Sequence, residues 1–337
     1  MDRRKEREQK VKMFRTCLIC LALLIVLIIV LFVSCGKKTS KDGIPVDAIK
    51  TKEVTNFKIT KHLEGDVEMK WDKVKGASSY EILREGEKGK FGKVFDSNKE
   101  EFVDKTAKKR KEYSYKVVAI AKDGDDIFKS KASQKEKVYV KPKDPNTVIC
   151  GECYVEDFHN YATDILPKNT HYVYKIGIGT DRMLSDTCFQ YQGQGVTMLE
   201  RVAYYKPDRV FFVIGMNETA NKNPDHMVDN MKKAIKLLQK VNPHVECIIC
   251  SLAPVARDGM DGYGDNSEII RYNAALKKYA QSEDNVYYLD YRSALEDENG
   301  ILKDEANPGD GAHWEVSAVK DVAKIIKDSA DELNNNY

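Results

Sequence analysis

Three short segments concentrate the side chains able to do covalent chemistry: Cys150-Gly151-Glu152-Cys153, Gly215-Met216-Asn217-Glu218 and Asp310-Gly311-Ala312-His313. A thiol is a nucleophile once ionised, and an imidazole, which titrates near neutrality, is a common general base. A carboxylate three residues before an imidazole is close enough for a turn to aim it at the other ring nitrogen. These are the parts of a nucleophilic acyl transfer. The pairs Cys150-x-x-Cys153 and Cys247-x-x-Cys250 also have the spacing of a redox dithiol or half a zinc site. The last 190 or so residues hold Cys150, Cys153, Cys188, Cys247 and Cys250, an odd set that cannot all pair. A disulfide between Cys150 and Cys153, masking a nucleophile, is one arrangement open to them. Cys247 and Cys250 lie within an apolar run, which suits buried small hydrophobes. His159, His171, His226 and His244 stand singly, without ligand spacing. The segment 257–266 lacks the D-x-D-x-D-G order of a calcium loop and reads as a loop at the rim of the site. No metal and no cofactor is expected.

The elements that must position these groups follow from hydropathy. Apolar runs at 147–150, 171–177, 209–215, 245–253 and 285–290 alternate with amphipathic stretches at 228–241, 268–281 and 314–333. Strands that are apolar throughout and separated by helices predict a parallel sheet covered on both faces. Such sheets place their sites outside the carboxyl ends of the strands. Cys153 and Asn217 fall just past such ends, and Asp310-x-x-His313 immediately precedes the last helix. Cys153 also opens the helical stretch YVEDFHNYATDIL, where a helix N-terminus beside a histidine should make its thiol more readily ionised than usual.

Over 146–337 this block order resembles the SGNH, or GDSL-like, hydrolase family. Gly151-Glu152-Cys153 stands where that family has Gly-Asp-Ser, Gly179 in Ile178-Gly179-Thr180-Asp181 fits the second-block glycine, Asn217 the third-block asparagine, and Asp310 and His313 the final Asp-x-x-His. The resemblance implies a three-layer α/β/α, flavodoxin-like domain and an esterase, lipase or deacetylase activity. It implies Cys153 as nucleophile, His313 as base and Asp310 as the group that orients it. Cys153, Gly179 and Asn217 are then the oxyanion-hole donors. Cysteine replaces the usual serine, and Glu152 and Glu218 replace aspartates. These departures leave open a module that has kept binding and lost hydrolysis, as the CxxC spacing leaves open a thiol-disulfide oxidoreductase.

The first half of the chain reads differently. Thr16 to Ser34 is an uncharged, strongly apolar run, long enough at 1.5 Å per residue to cross a ~30 Å hydrocarbon core. The basic segment 1–15 before it predicts a cytoplasmic N-terminus and a single-pass protein with everything later outside. Either the run 16–34 is an uncleaved anchor, or it is a lipoprotein signal cut before Cys35, since Phe32-Val33-Ser34-Cys35-Gly36 resembles a lipobox. A polar linker at 36–52 follows. Across 53–141, short alternating runs between charged turns predict an antiparallel sandwich. Their order resembles a fibronectin type III domain, with Trp71 in the second strand, Tyr80 in the third and Tyr113 as the corner tyrosine of the sixth.

Net charge is +2 overall, yet residues 1–50 carry +6, 51–142 carry +6 and 143–337 carry −10. The C-terminal region lacks any dense basic stripe, so nucleic acid is not an expected partner. The expected whole is a membrane-anchored extracellular esterase or deacetylase, with a β-domain spacer, acting on an acylated cell-wall glycan or a small ester.

Overall fold

The computed structural model describes residues 13, 24–25, 39–40, 43–256 and 263–335. The expected anchor at 16–34, its basic flank 1–15 and Cys35 therefore lie outside the described residues, Met13, Leu24 and Ile25 excepted. No helix among the described residues is long and apolar enough to cross a membrane. The chain divides into two compact units, Met1–Val140 and Lys141–Tyr337.

In the first unit, β1 (Lys58–Leu63), β2 (Asp66–Lys70) and β5 (Glu101–Asp104) form one antiparallel sheet. The other contains β3 (Ser79–Glu85), β4 (Phe91–Ser97), β6 (Lys111–Asp123), β7 (Asp126–Lys129) and β8 (Glu136–Val140). One core joins Val67 and Met69 of the first sheet to Tyr80, Ile82, Tyr115 and Val117 of the second, as alternating side chains of a sandwich should. Trp71 lies one residue beyond β2, buried against Phe57 and Tyr80. The Tyr113 hydroxyl accepts a hydrogen bond from the Lys108 backbone N–H at 2.9 Å, tying the start of β6 to the loop before it. The polar-linker reading of 36–52 fails at its end: Val46–Thr51 forms a 3-10 turn whose Val46 and Ile49 are buried in this core. Two apolar side chains three apart find a partner surface that the local polarity conceals.

The second unit is built on five parallel strands in the order β10-β9-β13-β14-β15: β10 (Thr170–Tyr174), β9 (Thr147–Gly151), β13 (Arg209–Val213), β14 (Glu246–Cys250) and β15 (Val286–Leu289). All residues of β9, β13 and β14 are buried, whereas the edge strands are half-buried. That is why their sequences are apolar without alternation. Helices α1 (Cys153–Tyr161) and α5 (Val316–Asn335) pack together on one face. Helices α2 (Met198–Tyr204), α3 (Pro224–Val241) and α4 (Asn266–Ala280) form the other layer. Helix α3 starts four residues earlier than its periodicity suggests, because Asn223 caps it by accepting from the His226 N–H and Pro224 fills the first position. A small hairpin, β11 (Phe189–Tyr191) and β12 (Gln194–Val196), sits between β10 and α2; its short polar strands give little sequence signal.

At the amino ends of the central strands lies a buried ion cluster. Glu246 receives the Arg209 guanidinium at 2.8 and 2.6 Å and the Lys141 ammonium at 2.7 Å. Arg209 also donates to the Ala330 carbonyl and to Asn334 in α5, both at 3.0 Å. Burial alone raises a carboxyl's pKa, but these two cations outweigh it and hold Glu246 below its ordinary value. The cluster ties sheet to last helix at the end remote from Cys153.

Candidate active site

The strand order reverses between β9 and β13, and a crevice opens at such a point beyond the carboxyl ends of the two strands. Gly151 ends β9 there. A side chain at 151 would bring its Cβ within 1.8 Å of the Val213 carbonyl, so only glycine lets β9 run this close to β13 before the chain turns into α1. That turn delivers Cys153 to the first position of α1, half-buried at the crevice. The loop ahead of α5 supplies the other two groups. Asn307 accepts from the Gly309 and Gly311 N–H groups, while Asp310 Oδ1 accepts from those of Ala312 and His313 at 3.0 and 2.9 Å. Asp310 Oδ2 is left facing His313 Nδ1 at 2.6 Å, and His313 Nε2 lies 3.3 Å from Cys153 Sγ. Burial pushes the Asp310 carboxyl upward, but these hydrogen bonds prevail and hold it below its ordinary value, so it is the ionised partner of the ring.

The thiol does not behave as helix position and histidine suggest. Burial, reinforced by Glu152 once that group has ionised, pushes Cys153 up to about 12, against the lowering effect of the N–H groups at the helix start. The resting group is a thiol hydrogen-bonded to an imidazole. Any nucleophilic step must pass its proton to His313 as sulfur attacks.

Glu152, which the sequence marks only as an unusual residue, organises the opposite wall. Only 1% exposed, it accepts from the N–H groups of Gly215 and Met216 at 3.0 and 2.9 Å, and from the side-chain amide of Asn217. The same Asn217 amide donates to the Ile178 carbonyl at 3.2 Å, one residue before Gly179. One chain of contacts thus runs from the residue beside Cys153, through Asn217, to the loop carrying Gly179. Gly179 is required by space, since a Cβ would lie 2.6 Å from Glu218 Oε1. Glu218 is itself held by the Thr180 hydroxyl and the Asp181 N–H. The structure therefore gathers Cys153, Gly179 and Asn217, but it commits both hydrogen bonds of the Asn217 amide to protein acceptors.

Burial pushes Glu152 up to about 8, more than its three donors pull it down. An unfolded glutamate titrates near 4.5. Between these values the folded chain holds a proton that the unfolded chain has lost, so on this group's account stability falls as pH rises through that window. Relative to wild type, Glu152→Gln should shrink the loss of urea midpoint between about pH 5 and about pH 8. An unchanged loss would mean that Glu152 is already ionised in the fold.

Two further groups face the site without a signature in the sequence. Tyr263 follows β14, its hydroxyl pushed up to about 12 by burial and by Cys153, Glu152 and Asp310 nearby. Asp157, one turn along α1, is raised mainly by burial while His313 pulls it the other way. Tyr263 belongs to the rim loop expected at 257–266, of which 257–262 lie outside the described residues. Cys150 and Cys153 are both free thiols, and Cys150 is fully buried inside β9. The 150–153 disulfide considered from spacing is not formed. A redox dithiol would need its second sulfur within reach of a partner.

A sequence model of the GDSL-like Lipase/Acylhydrolase family matches residues 147–318, just over half of the chain. No curated protein matches the chain. Among solved structures, it is similar to a GDSL-like lipase from Bacteroides thetaiotaomicron, at 19% identity and a TM-score of 0.44 over 56% of this chain and 88% of that one. It is also similar to a carbohydrate esterase of family 3 from Talaromyces cellulolyticus, at 16% identity and a TM-score of 0.42 over 57% and 99%. A human fibronectin type III domain matches at 20% identity and a TM-score of 0.24, covering 28% of this chain and 88% of its own.

Proposed function

The chain belongs to the GDSL-like lipase/acylhydrolase family, and we propose that it is an ester hydrolase that uses Cys153 where that family uses serine. The observation that carries this reading is the line Asp310–His313–Cys153, at 2.6 and 3.3 Å, at the topological switch point. In the first half-reaction His313 Nε2 takes the thiol proton as sulfur attacks the ester carbonyl. The backbone N–H groups of Cys153 and Gly179 then face the oxyanion, and the Asn217 amide joins them by giving up its bond to the Ile178 carbonyl. Collapse breaks the ester C–O bond, and the alcohol leaves with the proton from His313. Water, deprotonated by the same imidazole, next attacks the thioester, and the carboxylic acid leaves as the thiol reforms. Asp310 keeps the proton-bearing Nδ1 fixed throughout.

The substrate we assign is an O-acetylated glycan or a small ester outside the cell, with no metal or cofactor required. The location rests on the apolar run 16–34 and its basic flank, read as a membrane anchor that leaves both units outside; lipid attachment at Cys35 would give the same tethering. The test is acetate release by the full chain from O-acetylated polysaccharide and from an aryl acetate. Release from both supports the assignment, and release from the aryl ester alone removes the glycan. A second reading, a glycan-binding module without turnover, is favoured by one observation: the Asn217 amide is already bonded to Glu152 and Ile178. Saturable glycan binding with no acetate released would establish that reading instead.

A further inference from the structure

The residue after the nucleophile reaches the base from both sides. Tyr154 is 1% exposed, and its hydroxyl donates at 3.1 Å to the carbonyl of Ala312, the residue immediately before His313. Its ring stacks on Trp314, the residue immediately after His313, with centroids 4.3 Å apart and planes 18° from parallel. The same ring lies 5.8 Å from the imidazole itself. Trp314 is in turn wedged by Phe158 of α1, one turn beyond Tyr154, and by the edge of Tyr291. Apart from Asp310, which travels on the same loop, the imidazole has one hydrogen-bond partner among the described residues, the Cys153 sulfur. The loop is held to the segment after β14 by the Ala256 N–H, which donates to the Gly311 carbonyl at 2.8 Å. Its tie to α1 is the contact that Tyr154 makes on either side of His313.

We infer that Tyr154 is a positioning residue: it clamps residues 312 and 314 to the first turn of α1 and so keeps His313 Nε2 within proton-transfer reach of Cys153 Sγ. This rests on the acyl-transfer reading of the site only in needing His313 to serve Cys153. A displacement of about 1 Å at a reacting pair can lower a rate 10²-fold, and here Tyr154 bridges the segments that carry the base and the nucleophile. Tyr154→Phe keeps the stack and removes the hydrogen bond; Tyr154→Leu removes both.

The test measures alkylation of Cys153 by iodoacetamide in the full chain, with peptide mass spectrometry to separate this thiol from the exposed Cys188. In wild type the rate should depend on His313, so that His313→Ala slows it. Tyr154→Phe should slow it by roughly 2–10-fold, the loss of one hydrogen bond, and Tyr154→Leu by more. In a His313→Ala background neither substitution should slow it further, because Tyr154 acts only through the imidazole. Should the leucine variant not fold, the nearly isosteric phenylalanine variant decides the matter. Equal slowing by Tyr154→Phe with and without His313 would make Tyr154 a core residue and overturn the proposal, as would wild-type rates in that variant. If alkylation ignores His313 altogether, the acyl-transfer reading falls and takes the clamp with it; dependence on His313 without dependence on Tyr154 sinks the clamp alone.

Discussion

Replacing Cys153 by alanine should lower aryl-acetate cleavage by the full chain roughly 10⁴-fold or more, since the variant keeps only binding and oxyanion contacts. His313→Ala should cost about as much, and the double variant should be no slower than either single one, because nucleophile and base act as a unit. Cys150→Ala removes a sulfur buried inside β9 and should leave the rate near wild type, which separates acyl transfer from dithiol chemistry. Wild-type cleavage by the Cys153→Ala variant would rule out thioester chemistry at this position. A second consequence follows from the neutral thiol. Because burial and Glu152 push Cys153 up to about 12, no resting thiolate accumulates near neutral pH. Turnover then relies on proton transfer to His313 during attack, as for a serine nucleophile. Cys153→Ser should accordingly retain measurable turnover, because general-base activation by His313 would serve a hydroxyl as it would this thiol.

The second large effect concerns stability. Arg209→Ala should destabilise the C-terminal unit by about 3–5 kcal/mol, since it leaves the Glu246 carboxylate buried with half of its compensation removed. It also frees the Ala330 carbonyl and Asn334, loosening α5 from the sheet. Exchanging both partners for apolar residues of similar volume, Arg209→Met with Glu246→Leu, should recover part of that loss, because the desolvation penalty of those two charges disappears while Lys141 loses its carboxylate. Denaturant unfolding of the three proteins decides the matter; a loss under about 1 kcal/mol in Arg209→Ala would class the cluster with exposed ion pairs. The pH dependence has a definite sign. Glu246 is held below its ordinary 4.5 in the fold, so its contribution is complete above that value and is lost as pH falls through the folded pKa. Wild type should therefore lose more stability on acidification below about pH 4.5 than the double variant does.

Much of the arrangement was legible before any coordinates. Strands apolar throughout could only belong to a sheet covered on both faces. That placed their carboxyl ends, and with them Cys153 and Asn217, on one side of the domain; the observed strands all lie within two residues of the expected apolar runs or inside them. Asp310 and His313 were equally visible, because a three-residue spacing fixes their mutual reach locally. The 3-10 turn at Val46–Thr51 and the hairpin β11–β12 were not, being too short for a periodicity to emerge.

What residue types and spacing determined, then, is which chemical groups exist and to which end of the sheet they go. Tertiary structure alone decided their state and their neighbours. Cys153 and His313 are 160 positions apart, Tyr154 and Ala312 158, Glu152 and Asn217 65, and such contacts depend on how whole layers close over one another. The ionisation of Cys153 reversed expectation for the same reason. A helix N-terminus is written locally, but burial and the approach of a buried acidic side chain are properties of the packed interior, and in a low-dielectric crevice they outweigh the helix end.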